Sequence, residues 1–587
     1  MCSGAGLALL HCDHAGTLLP GTDLSQTLEG SAVSAHRTAR RILPVLLVTA
    51  LGAAACGGST TTNTKPKVAA KAAVKDGGTL TYGADQEPSG YNNNTSKDNS
   101  TAAGNVDESI LPSVYRTHPD YTVQLDKDFM VSAELTSPEP ETITYKIRPE
   151  AKWSDDVPVD AKDFIFAWTA QNGTNKKFDV AGTQGYEDIA SVNGSDSDKT
   201  VTVVFKKKYA EWRGLFSNLI PAHIAQKDPK GVVEGWNNGF NKGIPVSAGP
   251  YLFGALKPTD SLTLTRNDKY FGPKAHLDTI VHRFLPESTT QPDALKNGEV
   301  QLIYPQPQLD LVAQVKAIPA VTSEINFGLS FEHFDFNTKT PGLGDVVVRK
   351  AIAMGLDRAS MLKRTVAQFD PKASVLGNRI YLTGQPEYKD QAGDYGKGDV
   401  AGATKALEAG GYAKGANGIY AKGGKPLSFR FTTTAGNKLR ETQGELFKTQ
   451  MKAIGIDIKI DNSKAAVLFG ERLPKGNFDI ADFAWVGTPF ATANKSIYVT
   501  GGGQNYGKGS DPKVDELLNQ AGAELDDAKR TDLLNQVDLQ LWQDMVTIPL
   551  YQKPTFIAFS DKYGNIGDNA SSEGPFWNAG TWGLKTA

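Results

Sequence analysis

The stretch that comes nearest to known reactive chemistry is 502–509, Gly-Gly-Gln-Asn-Tyr-Gly-Lys-Gly, one residue away from a phosphate-binding loop. That loop needs Ser or Thr after its lysine to hold magnesium, and Gly509 stands there. The helix that would face the phosphates is expected only after Asp511, so nucleotide chemistry is set aside. No Gly-x-Ser-x-Gly elbow offers an activated serine. His118 and His333 stand beside acids or aromatics, but no His-x-x-x-His or His-Glu-x-x-His pattern marks a metal site. Carboxylates are plentiful, and no pair of them is singled out by spacing. The reading is a protein that is not an enzyme, with no catalytic residue, no metal and no cofactor.

The one cysteine with a telling context is Cys56. Arg37, Arg40 and Arg41 precede an apolar run over 42–50, then small residues over 52–55 lead to Cys56. A basic segment, a short apolar core and a small-residue cleavage site describe an export signal. The run contains Pro44 and falls short of the roughly 20 residues a membrane-spanning helix needs. Residues 51–56, LGAAAC, resemble a bacterial lipobox, with Ala53 where leucine is more usual. The resemblance implies that residues 1–55 are removed, that Cys56 carries a diacylglycerol, and that the protein is held at the extracytoplasmic face of the cell membrane. Residues 1–32 are long and mixed for a signal, so translation is expected to start at Val33. The segment 56–77 is rich in Gly, Ser, Thr and Lys and reads as a flexible spacer.

Once the signal is removed, Cys56 is the last cysteine, and no structural disulfide can form. The net charge of −3, with acids and bases interspersed, argues against nucleic acid as a partner. A 587-residue chain exceeds what one hydrophobic core can hold, so two or three domains are expected.

Order is expected to begin near Gly78 with a strand over 79–83. Further strands are read at 142–147, 200–205, 262–265, 279–284 and 429–433, from β-branched residues and alternation. Helices are expected at 161–171, 346–365, 438–453, 512–524 and 527–545. The fourth has Asp511 as its cap and Pro512 at its first position. This mixture gives an α/β or α+β architecture without a 20–50-residue repeat.

Two segments carry a resemblance to a known family. Residues 145–168, YKIRPEAKWSDDVPVDAKDFIFAW, and 345–358, DVVVRKAIAMGLDR, are similar to motifs of the family 5 solute-binding proteins, the peptide-binding lipoproteins of ABC importers, here of the actinobacterial type. Further matches follow in the family's order: Gly249-Pro-Tyr251, Arg266-Asn267, residues 294–300, Phe334-Asp-Phe-Asn337, Phe478-Asp479 and Ile548-Pro-Leu-Tyr551. Read physically, these motifs are mostly structural. Trp153 reads as a core anchor, Asp160 as a helix cap, and Arg349 with Asp357 as two side chains facing one neighbour along a single helix.

The resemblance implies a two-lobed periplasmic-binding-protein-like fold (class II, cluster C) with an extra inserted domain. Lobe I would be 76–122, 241–333 and 550–587, the inserted domain 123–240, and lobe II 334–549, with hinges near 331–337 and 547–551. It also implies an oligopeptide ligand, ABC permease subunits as partners and a monomeric state. By the same resemblance the ligand would meet Trp485, Val486, Gly487, Thr488 and Phe490 of lobe II, and Tyr91 and Asn105 of lobe I. Peptide binders of the family carry an aspartate just after this tryptophan to pair with the ligand ammonium. Here Gly487 and Thr488 follow, and Asp482 lies on the wrong side. Either Asp107 or Glu108 substitutes, or the ligand has no free amine; a glycan, a metal chelate or a blocked peptide, or a sensing role, are the alternatives.

Overall fold

The computed structural model describes residues 71–586. The signal region and Cys56 lie outside them. The described chain is mixed α/β, and its elements appear in this order: strand β1 (Thr79–Ala84), helix α1 (Thr101–Ile110), strands β2 (Met130–Pro138) and β3 (Glu141–Ile147), helix α2 (Ala161–Gln171), strands β4 (Ile189–Ser195) and β5 (Thr200–Phe205). Next come β6 (Tyr251–Lys257), β7 (Ser261–Arg266), β8 (Thr279–Phe284), β9 (Leu302–Ile303) and the long β10 (Val321–Phe336). Helices α3 (Val346–Gly355) and α4 (Arg358–Lys363) lead to β11 (Ser428–Thr432), α5 (Lys438–Ala453), β12 (Asp457–Ile460) and β13 (Ile480–Trp485). Helices α6 (Pro512–Ala523) and α7 (Asp527–Asp544) precede the long β14 (Thr547–Ser560).

One ten-stranded sheet runs through the molecule in the order β12-β11-β13-β10-β14-β9-β1-β8-β7-β6. A separate antiparallel sheet, β2-β3-β5-β4, is formed from 130–205. Buried side chains fall into a large cluster built from 80–284 with 557–582, and further clusters from 294–558. These are the cores of the two lobes, called lobe I and lobe II below.

The two lobes share β10 and β14, which pair antiparallel from Val321↔Ser560 to Asp335↔Thr547. Both faces of β14 are covered, so Ile548, Leu550, Tyr551, Phe556, Ile557 and Ala558 are all buried. The ladder shifts register twice, beside Pro554 and beside Pro549. Proline has no N–H to give a ladder, so it is confined to such breaks. Gly328 sits in the first break, where a Cβ would come within 1.7 Å of the Ala570 carbonyl oxygen. Only glycine fits that approach.

The expected helix over 346–365 is two helices. It stops at Gly355, whose missing Cβ makes room for Ile454, and Asp357 then caps α4 by accepting the Ser360 N–H at 2.8 Å. Arg349 and Asp357 therefore do not share a helix. Arg349 spends its guanidinium on the carbonyls of Leu343 at 2.7 Å, Asp544 at 2.6 Å and Met545 at 3.0 Å. The spacer read over 56–77 is also shorter than expected, because Val74 and Lys75 pair with Lys585 and Leu584. Trp153 is fully buried and donates its indole N–H to Asp163, which closes a capping box with Asp160 at the start of α2.

Candidate functional site

A cavity of about 580 Å³ opens where lobe I meets the shared strands. The N-terminus of α1 supplies one wall through Ser100, Thr101 and Asn105. The inner face of the sheet supplies Tyr82 and His282, β14 supplies Lys553 to Phe556, and lobe II reaches in with Val486. Ser100 starts α1 as its cap, accepting the Ala103 N–H at 3.1 Å, and so leaves the helix end turned toward the cavity.

His282 is 3 % exposed and lies on the same face of β8 as Ile280 and Phe284. It stacks on Phe576 with ring centroids 4.6 Å apart, and Tyr82 meets it edge-on. Its Nε2 has no hydrogen-bond partner among the described residues. Burial lowers its pKa to about 3, so the ring is neutral at physiological pH. Behind the wall, Asp568 accepts hydrogen bonds from the Tyr304 hydroxyl at 2.8 Å, from Asn326 at 2.9 Å and from the Thr555 hydroxyl. It fixes two of the lining residues, Tyr304 and Thr555, from outside the cavity.

Only two lining residues carry ordinary charges, Asp85 and Lys553. Asp85 is solvent-exposed at the rim, and partial burial raises its pKa. Burial also pushes the Lys553 ammonium down, although Glu332 and Asp85 pull it the other way. Glu332 is already spent on Arg440, which reaches it with two N–H groups at 3.1 and 2.9 Å. Burial would raise Glu332, but the guanidinium outweighs it and holds the carboxylate below its usual range.

The residues named from the sequence separate into two groups. Asn105 and Val486 line the cavity, and Val486 is 68 % exposed. Trp485 points to the other side of its strand. It stacks between His333 and Tyr506 in the lobe II core, with centroids 5.6 and 5.8 Å away. Gly487 is needed for the chain itself, since a Cβ there would stand 2.1 Å from the Leu329 carbonyl oxygen. Thr488 turns the chain by accepting the Phe490 N–H at 3.1 Å, and Phe490 packs against Gly214 of lobe I. Tyr91 is buried against Phe253, away from the cavity.

Neither acid named as a substitute faces the cavity. Asp107 is fully buried and burial raises its pKa strongly, while Glu108 is paired with Arg116. Asp482 is buried on the face of β13 opposite Trp485 and accepts from Gln443 at 3.0 Å. The near-phosphate loop is closed on itself: Asn505 donates to the carbonyls of Val499 and Gly509 at 2.9 and 2.8 Å. Among the described residues no cluster of His, Cys, Asp and Glu could hold a metal, and no helix is long and apolar enough to cross a membrane.

Residues 129–508 match the family model for bacterial extracellular solute-binding proteins, family 5. The chain belongs to this family. Family 5 proteins are solute-binding proteins with two lobes. An oligopeptide-binding protein, OppA, of Mycobacterium tuberculosis is 31 % identical over 509 residues, covering 84 % of this chain and 83 % of that one. A periplasmic EDTA-binding protein, EppA, superposes with a TM-score of 0.85 at 28 % identity, over 91 % of this chain and all of that one. The oligopeptide-binding protein AppA of Bacillus subtilis, solved with a nonapeptide, shares the fold with a TM-score of 0.74 at 21 % identity, over 87 % of this chain and all of its own.

His282 and Lys553 were missed in the sequence. His282 had a signal, a polar side chain in phase with the apolar positions of an alternating strand. Lys553 had none, because its place beside the cavity depends on the pairing of strands far apart in the chain.

Proposed function

We propose that this protein captures a solute from the extracytoplasmic space, an oligopeptide in the first instance, and delivers it to an ABC importer. The observation that carries the reading is a cavity walled by both lobes and by the strands they share. Its volume is that of a small-molecule or short-peptide site. Its lining is rich in amides, including Asn93, Asn105 and Gln306, which suits backbone amides of a peptide. The name of the mycobacterial relative and the nonapeptide held by the Bacillus protein support the same class.

Solute touching both lobes favours the closed arrangement, and closure presents a composite surface to the permease subunits. The protein works as a monomer, without catalysis, anchored in the cell membrane through a lipid on Cys56. By the chain's course lobe I comprises 76–122, 241–333 and 550–587, with 123–240 inserted, and lobe II comprises 334–549, while buried side chains of 294–315 and 550–558 pack with the lobe II core across that boundary.

A second reading is favoured by one observation: Asp85 is the sole carboxylate in the lining and it is exposed. A ligand ammonium therefore has no buried partner there, and a solute with a blocked amine or a polycarboxylate fits the same fold. The EDTA-binding neighbour points the same way.

A thermal-shift screen of residues 71–587 separates the readings, because binding to the native state raises Tm. The panel contains tri- to octapeptides, the same peptides N-acetylated, and aminopolycarboxylates. Stabilisation by free peptides that acetylation abolishes supports the first reading. Equal stabilisation by acetylated peptides, or by polycarboxylates alone, supports the second. Cleavage of any peptide during the assay refutes the non-enzymatic role.

A further inference from the structure

The lysine that lines the cavity has no ion-pair partner among the described residues. Glu332 is neutralised by Arg440 through two hydrogen bonds. Asp482, the other acid of that cluster, is fully buried and already accepts the Gln443 amide at 3.0 Å, and burial and then Glu332 push its carboxyl well above the usual carboxylate range. Lys553 on β14 feels the charges of Glu332 and Arg440, lines the cavity, and takes part in no ion pair among the described residues. Asp85 is the one acid left to it, and that side chain is exposed at the rim. A half-buried ammonium without a partner is costly to keep unless function uses it.

Two further features of the same cavity favour negative charge. The positive end of α1, a helix of ten residues, opens into it. His282, 97 % buried, leaves Nε2 unpartnered in the wall, and in the tautomer that carries its proton there the neutral ring donates to an anion. Five amide side chains line the cavity, but no arginine does.

We propose that Lys553 is the anion anchor of the cleft, and that the solute must present a carboxylate to it. The inference rests on the reading of this cavity as the solute site and narrows its ligand. The carboxylate is supplied either by a peptide C-terminus or by a small polycarboxylate. Lys553 lies in the first ladder break, between Pro554 and Gln552, on a strand the lobes share, so an anion held there is gripped at the joint itself.

The test uses Lys553→Met and Lys553→Arg beside the wild type, with Tm and isothermal titration as readouts. The probes are tri- to hexapeptides as free acids, each with a free and with an acetylated amino terminus, the same peptides as C-terminal amides, and EDTA. In the wild type at least one carboxylate probe binds and amidation weakens it. Lys553→Met lowers affinity for that probe roughly 10- to 100-fold, the usual effect of losing a charged hydrogen bond. Lys553→Arg restores much of the affinity. The unliganded Lys553→Met protein melts no lower than the wild type, since it loses an unpaired buried charge. The free-acid peptides and EDTA tell the two sources of carboxylate apart. If Lys553→Met binds every probe as the wild type does, or if amides bind as well as acids, the anchor is refuted and the solute site stands. If no probe binds the wild type, both are refuted.

Discussion

Glu211 and Thr492, 281 residues apart in the chain, close a buried polar contact between the lobes: the Glu211 carboxylate accepts the Thr492 N–H at 3.0 and 3.1 Å and also its hydroxyl. Gln184 adds a hydrogen bond to the Thr492 carbonyl at 2.8 Å, and the Ala210 N–H reaches the Gly522 carbonyl at 2.9 Å. Glu211 belongs with the lobe I core beside Trp212, and Thr492 with the lobe II core beside Ala491. The contact is a clasp made outside the shared strands. Glu211→Ala should weaken it by about 1–3 kcal/mol. Both groups regain water when the lobes part, so the loss should appear in the balance of open and closed forms. Small-angle scattering of the ligand-free variant should show a larger radius of gyration than the wild type, with little change in Tm. An unchanged scattering curve would show that the clasp does not hold the lobes.

Adjacent residues at the end of β13, Trp485 in the strand and Val486 just after it, should behave in opposite ways. Trp485 is stacked in the core and Val486 projects into the cavity. Trp485→Ala should cost about 3–5 kcal/mol in urea unfolding, the range for deleting a buried aromatic side chain. Val486→Ser should leave stability within about 0.5 kcal/mol and weaken solute binding. A stable Trp485→Ala protein that has lost binding would reassign the tryptophan to the site.

The Arg379–Asp538 pair is wholly buried, 3.1 Å apart, with the Arg379 N–H also held at 2.8 Å by the same carboxylate. Thr547 takes the rest of the guanidinium, and Trp542 lies 4.0 Å beneath it. Removing one partner strands the other charge. Asp538→Ala should destabilise by about 3–5 kcal/mol, measured by chemical denaturation. A smaller cost would mean that water reaches the guanidinium.

Glu141 predicts a pH dependence. Burial raises its carboxyl from 4.5 to about 7, against the Tyr209 N–H that it accepts at 2.7 Å and the nearby Lys208. The folded state therefore binds its proton more tightly than the unfolded state. Its contribution to stability is full below about pH 4.5 and is lost as pH rises through about 7. Glu141→Gln removes that slope, so its Tm should gain on the wild type between pH 5 and pH 8. Parallel Tm profiles for the two proteins would rule out this titration.

Helices with strong end signals were legible in the sequence. Asp511-Pro512 does start α6, and Asp160 does cap α2. The expected helix over 346–365 failed because apolar periodicity runs on through Gly355, while packing against Ile454 stops the helix there. The shared strands were legible only as hinge positions implied by resemblance. Pro549 and Pro554 argue locally against a central strand, and only the ladder breaks accommodate them. In the site, resemblance led to Val486 and Asn105. It could not tell which side of β13 Trp485 takes, because a strand alternates its faces and the sequence does not say which face is covered.

The order of strands also bears on how the chain acquires its shape. β14 is nearly the last element made, yet it lies in the middle of the ten-stranded sheet, with Leu302 opposite Phe559 on one side and β10 on the other. As the chain emerges from its amino end, β1 can meet β8 and β9, but that half-sheet has a bare edge until residues 547–560 arrive. Such long-range closure is slow and leaves an exposed edge meanwhile. Truncation within this strand therefore deprives both lobes at once, and the half-made chain is the form most in need of a chaperone.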